Sequence, residues 1–129
     1  LRHLEKWTAR RKEIANIYNG ILRDDGDIEI PLTEESRDHV YHLYVIRSRH
    51  RDQLQQRLKK NGVSSGIHYP VALPFLPAYR YLECSKDEFP VVSQYQDQIM
   101  SIPIYPEMTR EMIKYVCNVI LGNPIDDNA

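Results

Sequence analysis

Cysteine is scarce in this 129-residue chain: Cys84 and Cys117 are the only two, and no CxxC spacing occurs. Two isolated thiols build neither a disulfide framework nor a zinc site, so the reducing cytoplasm is the expected compartment. An excess of one charge is missing too. With 17 basic against 18 acidic residues, the net charge is −1 with histidines neutral, which removes the electrostatic case for a nucleic-acid partner. No apolar run approaches the ~18–20 residues that span a bilayer, and Arg2, Glu5 and Lys6 interrupt any signal-peptide core at the start. A Gly-rich phosphate loop, a GxSxG elbow, an HExxH pair, internal repeats and low-complexity tracts are all lacking. What is left is a soluble domain with no membrane partner, long enough to bury one core without disulfides.

The apolar pattern that is present has clear periods. Leu1, Leu4, Trp7, Ile14, Tyr18 and Ile21 recur at helical spacing, which predicts a long first helix over 1–22. No Ser, Thr, Asp or Asn precedes its first turn, so its orphan N–H groups have no cap, and the expectation is a cut through a longer chain. Arg10, Arg11 and Lys12 on this helix read as a solvated face or a docking surface for the missing part. Asp24 to Asp27 predict a turn, Ile28 to Leu32 a short extended stretch, and His39 to Ser48 the strongest strand, apolar on both alternation classes and so covered on both sides. Arg51 to Asn61 predict a helix with Leu54 and Leu58 inward, stopped at Gly62, and Val63 to Pro70 a second strand. Residues 71–81 are too proline-rich for a helix. Pro90 opens a helix in which Val92, Tyr95 and Ile99 share a face. Ser101 to Pro106 predict a third strand, at an edge because of Pro103. Thr109 caps a last helix with Met112, Val116, Val119 and Cys117 in the core, ended by Gly122 and Pro124, and the tail to Ala129 is expected to be disordered. The fold class that follows is α+β: a small, mainly antiparallel sheet with helices on one face, with a connecting helix over 1–22, a core over 39–121 and a tail over 122–129.

Few residues invite chemistry. His39 and His42 fall on opposite faces of a strand and cannot easily share a metal; His42 reads as a hydrogen-bonded core histidine. Gly66-Ile67-His68-Tyr69-Pro70 is the sharpest cluster, because glycine permits close approach and proline ends pairing beside an irregular loop. His68 and Tyr69 are there either a strand-end hydrogen-bond pair or ligand contacts. Pro74 and Pro77 have PxxP spacing but serve mainly to stiffen an apolar loop, and Tyr79, Tyr81 and Tyr105 lie near these loops. Every lysine falls on a helix surface or in a turn, and none reads as a buried nucleophile.

Taken in order, these segments resemble one family. Leu4 to Trp7, Arg11 to Ala15, Tyr18-Asn19, His42 to Arg47, Arg51-Asp52, Gly62-Val63, Gly66 to Pro70, Leu76 to Tyr79, Phe89 to Val91 and Ser101 to Thr109 are similar to the C-terminal segment of the DegT/DnrJ/EryC1/StrS pyridoxal-phosphate-dependent sugar aminotransferases, to about Leu121. The resemblance implies the C-terminal small domain of a fold type I aminotransferase, a homodimer that moves an amino group from glutamate to a nucleotide-linked keto-sugar. It also implies a Schiff-base lysine and an acidic partner for the pyridine nitrogen upstream of the first helix. No lysine of this chain matches that position, so no catalytic or cofactor-binding residue and no metal is carried over, and the piece alone is expected to be inactive. His68 and Tyr69 match the strand end that borders the sugar-nucleotide pocket in the family. Where members often have a histidine shortly after this motif, Pro74 stands here.

Two other classes compete: a stand-alone small-ligand or regulatory module with a ferredoxin-like sheet, and an RNA-recognition sheet, which the charge and the missing aromatic motif disfavour. Bare Leu4, Trp7, Ile14 and Tyr18 would favour the larger enzyme, and a first helix packed wholly on its own sheet would favour the stand-alone module.

Overall fold

The computed structural model describes residues 1–124, and the predicted disordered tail from 125 on lies outside the described residues. In chain order the elements are α1 (Leu4–Leu22), β1 (Ile28–Glu29), β2 (Tyr44–Ser48), α2 (Arg51–Lys60), α3 (Pro90–Tyr95), β3 (Ile99–Ile102) and α4 (Arg110–Leu121), with 3₁₀ turns over Leu73–Phe75 and Pro77–Leu82. The sheet is antiparallel throughout, in the order β1-β2-β3. Tyr44 faces Ile102 and Ile46 faces Met100, so these four side chains point to one side. There they meet Ile14, Tyr18 and Leu22 of α1, Leu54 and Leu58 of α2, and Ile113, Val116, Cys117 and Ile120 of α4. This is the expected α+β architecture, with α1 and α2 both packed on α4.

Local chemistry sets the helix ends. The Thr109 hydroxyl accepts from the Met112 N–H at 3.3 Å and caps α4, and Gly122, at φ 71°, takes the left-handed turn that closes it. His3 gives α1 no side-chain cap. The first turns of α1 leave Leu4 and Trp7 exposed, while Ile14 and Tyr18 are fully buried. The discriminating surface is therefore divided: the first two turns of the helix are bare and the rest packs on its own domain.

Several expectations require correction. The strand over 39–48 begins only at Tyr44, because Tyr41 sits at φ 49°, outside the extended region. Coverage of β2 is one-sided: Tyr44, Ile46 and Ser48 are buried, and Val45 and Arg47 only half so. The strand over 63–70 reduces to one bridge, Gly66 to Ser101, since Pro70 and the turn at 68–69 carry the chain off the sheet. The third strand spans Ile99–Ile102, so Ile99 belongs to it and not to the preceding helix, and Pro103 lies beyond its end. Ser101 is paired on both sides, to Val45 and to Gly66, so it is not an edge position. In α4 the inward residue is Ile113; Met112 is exposed, one step of about 100° away on the helix.

The basic cluster of α1 is neither free surface nor an open docking face. Arg11 Nη1 donates to the carbonyls of Ile104 at 2.7 Å and His42 at 3.2 Å, and Arg10 Nη2 donates to Met108 O at 2.7 Å. Lys12 pairs with Asp38 at 2.5 Å. Two turns on, the Tyr18 hydroxyl donates to Pro103 O at 2.8 Å. The helix thus straps down two irregular segments, 38–42 and 103–108, whose carbonyls have no sheet partners. Burial pushes the phenols of Tyr18 and Tyr44 upward and the Cys117 thiol up to about 12.

Arg11→Met should lower unfolding stability by about 1–3 kcal/mol, since it strands two carbonyls that a charged donor satisfied. Lys59→Met on an exposed helix surface should change it by less than ~0.5 kcal/mol, both read by urea denaturation. Iodoacetamide near neutral pH should alkylate Cys84, half-exposed, and spare Cys117 until the chain is unfolded. The unfolded Cys117 thiol loses its proton near 9.0 and the folded one only near 12. The native state therefore holds more protons in that window, and stability should fall as pH rises through it.

Candidate functional site

The alternation that buries Ile46 and Met100 sends Val45, Arg47, Ile99 and Ser101 to the opposite face of the sheet. Gly66 joins this face at the free side of β3: its N–H donates to Ser101 O at 3.0 Å and its carbonyl accepts from Ser101 N–H at 2.7 Å. The chain then turns back, and the His68 ring lies over Gly66 itself. A Cβ at that glycine would stand 2.8 Å from His68 Cε1, so only glycine allows the approach. His68 Nδ1 lies 2.9 Å from Ser101 Oγ. Tyr69 follows across a cis peptide bond, edge-on to His68 at 6.1 Å and 77% exposed.

From Pro70 the chain forms one wall of a cavity of about 850 Å³, and the segment from Phe89 to Gln96 forms the other. Ala72 N–H donates to Gln96 Oε1 at 3.1 Å and Phe75 meets Phe89 edge-on at 6.4 Å, which ties the walls together. Ile99 contributes from the sheet, and Leu73, Leu76, Val91 and Val92 make the lining largely apolar. Its polar members are His68, Tyr69, Tyr95 and Gln96, and no lysine, arginine, aspartate or glutamate lines it. Beneath it the Arg47 guanidinium lies 3.7 Å from the centre of the Tyr95 ring and pairs with Glu29. Arg47 Nη1 is buried with no hydrogen-bond partner among the described residues.

The two residues singled out from the sequence, His68 and Tyr69, both line this cavity. Their alternative roles converge for His68, which is hydrogen-bonded and faces the cavity. His42 is not a core histidine: it lies exposed in a bend before β2, and His39 instead accepts the Tyr41 N–H at its own Nδ1. Pro74 is the second residue of one 3₁₀ turn and Pro77 the first of the other, and Tyr79, Tyr81 and Tyr105 stay outside the cavity lining. Ser101, Tyr95, Gln96 and Arg47 were missed. The available signal was alternation, which places Ser101 and Arg47 on the face away from Ile46 and Met100. Among the described residues no group of three or more His, Cys, Asp or Glu gathers as a metal site, and no helix is long and apolar enough to cross a membrane.

The match to known proteins decides the family. The model of the DegT/DnrJ/EryC1/StrS aminotransferase family matches residues 1–121. The chain belongs to this family. Relatives in it include the erythromycin biosynthesis sensory transduction protein EryC1 of Saccharopolyspora erythraea, 39% identical over 90% of this chain and 32% of that protein. A dTDP-3-amino-3,4,6-trideoxy-alpha-D-glucose transaminase of Streptomyces venezuelae is 31% identical over 93% of this chain and 32% of its own length. The crystal structure of S. venezuelae DesV in complex with a ketimine intermediate superposes with a TM-score of 0.88 at 29% identity, over 98% of this chain and 34% of that one. A DegT/DnrJ/EryC1/StrS aminotransferase from Brucella abortus gives 0.86 at 28% identity, over 95% of this chain and 32% of that one. The fold is thus that of these type I aminotransferases, and the chain spans about a third of the length of the curated relatives it matches.

An open apolar cavity of this size should take up a hydrophobic dye. Anilinonaphthalene sulfonate should bind saturably to the native chain, and Val92→Glu should weaken it roughly tenfold by placing a carboxylate on the wall. Lys59→Glu, remote on α2, should leave the titration unchanged.

Proposed function

We propose that this chain is the C-terminal, substrate-side part of a pyridoxal-phosphate-dependent aminotransferase acting on a nucleotide-linked keto-sugar, and that alone it neither holds the cofactor nor turns over. The observation that carries this reading is the cavity: an apolar wall with two hydrogen-bonding side chains at its end and no amine. Pyridoxal phosphate requires a lysine for its carbonyl carbon, a carboxylate for its ring nitrogen and donors for its phosphate. The lining residues offer none of the first two and no cationic donor for the third, so the residues present do not fit the group. No reaction step is therefore assigned to them.

What they can do is bind and exclude water. Imidazole and phenol are both able to donate to a diphosphate oxygen or a sugar hydroxyl, while Leu73, Leu76 and Val92 cover apolar ligand surface. The lysine, the carboxylate and the phosphate site belong, in this reading, to a preceding cofactor domain, in a cytoplasmic homodimer that takes its amino group from glutamate. Bare Leu4 and Trp7 on α1 fit a surface that packs against such a domain. The names of relatives, among them dTDP- and UDP-linked sugar aminotransferases, support the substrate class. The competing stand-alone module has in its favour only the burial of Ile14 and Tyr18, which a domain of either kind requires.

The test is spectroscopic. The purified 129-residue chain mixed with pyridoxal phosphate should show no stoichiometric, borohydride-reducible visible band; such a band sinks the reading. The coding sequence upstream of Leu1 should in turn supply a lysine in Schiff-base context.

A further inference from the structure

Ser101 is 6% exposed, a buried hydroxyl between Met100 and Ile102. Its backbone is committed in both directions to Gly66. Its hydroxyl meets a single hydrogen-bond partner among the described residues, His68 Nδ1 at 2.9 Å. A neutral imidazole has one N–H and one bare nitrogen, whereas a hydroxyl always has a proton to place. With the proton on Nδ1, the ring would donate to Oγ and the buried O–H would have no acceptor. With Nδ1 bare, the O–H donates to it and both groups are satisfied, which leaves the imidazole proton on Nε2. Nε2 has no partner within the described residues, and His68 lines the cavity.

We infer that Ser101 is a positioning residue that holds His68 as its Nε2–H tautomer, so that the ring offers one N–H donor to an oxygen acceptor of the bound ligand, a diphosphate or sugar hydroxyl oxygen. Gly66 completes the device, because the absence of a Cβ lets the ring lie against the strand within reach of the hydroxyl. The device selects by sign: a ligand oxygen is accepted at that point, and a ligand amine, itself a donor, is refused. The ligand part rests on the nucleotide-sugar reading above; the tautomer part does not.

Long-range proton–nitrogen correlation spectra of the histidine-labelled chain at about pH 8, where ordinary imidazole is neutral, read the tautomer directly. The His68 signal is identified by its loss in His68→Gln. His68 should favour Nε2–H by roughly tenfold more than exposed His42 does in the same spectrum, and Ser101→Ala should bring the two to the same ratio. Gly66→Ala keeps the hydroxyl but displaces the ring, and it should erase the preference as well, which keeps the test decisive should Ser101→Ala not fold. An Nδ1–H ring, a ratio equal to that of His42, or a ratio unchanged in both variants overturns the inference. Addition of deoxythymidine diphosphate or uridine diphosphate should shift the Nε2–H proton downfield. If the tautomer holds and neither nucleotide moves that proton, the assignment of the ligand contact to His68 falls, while the role of Ser101 toward His68 and the nucleotide-sugar reading, which rests on the relatives, both stand.

Discussion

The register between β2 and β3 is the constraint on which both faces of this protein depend. Pairing Tyr44 with Ile102 and Ile46 with Met100 puts four large side chains under the three helices. The same pairing puts Val45 beside Ser101 and Arg47 beside Ile99 on the other side. A slip of one residue would exchange the two sets, driving a guanidinium and a hydroxyl into the core and exposing Ile46 and Tyr44. Burying an unpaired guanidinium costs several kcal/mol, so the core enforces the register. The site is placed by that choice: Ser101 faces the cavity side because Met100 and Ile102 do not.

The two faces are held by different physics. On the helix side, burial is dense and aromatic: the Tyr18 and Tyr44 rings meet at 5.0 Å, tilted by 41°, and each phenol finds a partner, Pro103 O and Asn19 Oδ1. On the cavity side, neither 3₁₀ turn nor α3 has a buried residue. That half of the chain depends on the Gly66–Ser101 bridge, the Gln96 tie to Ala72, the Phe75–Phe89 contact and the stack of Arg47 on Tyr95. Segments held by few apolar contacts open at lower free energy than the core they rest on. A binding surface gains from that difference, since its walls can adjust while the strand that orients His68 does not.

Much of this was legible in the sequence because it follows from period. The helices over 4–22, 51–60 and 110–121 were visible in their apolar spacing, and Thr109 and Gly122 marked the ends of the last one. The failures are equally physical. His39 to Tyr41 have strand-like composition, but Tyr41 adopts a left-handed backbone and its N–H is taken by His39, choices that propensity does not encode. Val63 to Pro70 have the right residues for a strand and lack a second partner beyond Gly66. Met112 and Ile113 are adjacent apolar residues, and only packing against α1 and α2 decides the phase of the helix between them. Arg10 and Arg11 read as surface because sequence shows charge, not the unpaired carbonyls at 42, 104 and 108 that the charges satisfy. Within the site, His68 and Tyr69 were found from the punctuation of Gly66 and Pro70; Ser101 was hidden because a lone serine in a strand has no pattern until its neighbour across the sheet is known.

The composition of the cavity also bears on how the work is divided in the proposed enzyme. A diphosphate laid against apolar carbon without donors forfeits its hydration and gains nothing in return, a loss no hydrophobic contact offsets. His68 and Tyr69 supply two donors at one end of the cavity, enough to orient such a group but not to neutralise it. With no lysine or arginine in the lining, the counter-charge must come from beyond these walls. A wall that is apolar, shaped and nearly uncharged is therefore suited to one half of a shared site. In the proposed enzyme it would set where the ligand lies and what part of it is dry, and it would leave the charge, and with it the chemistry, to the cofactor domain.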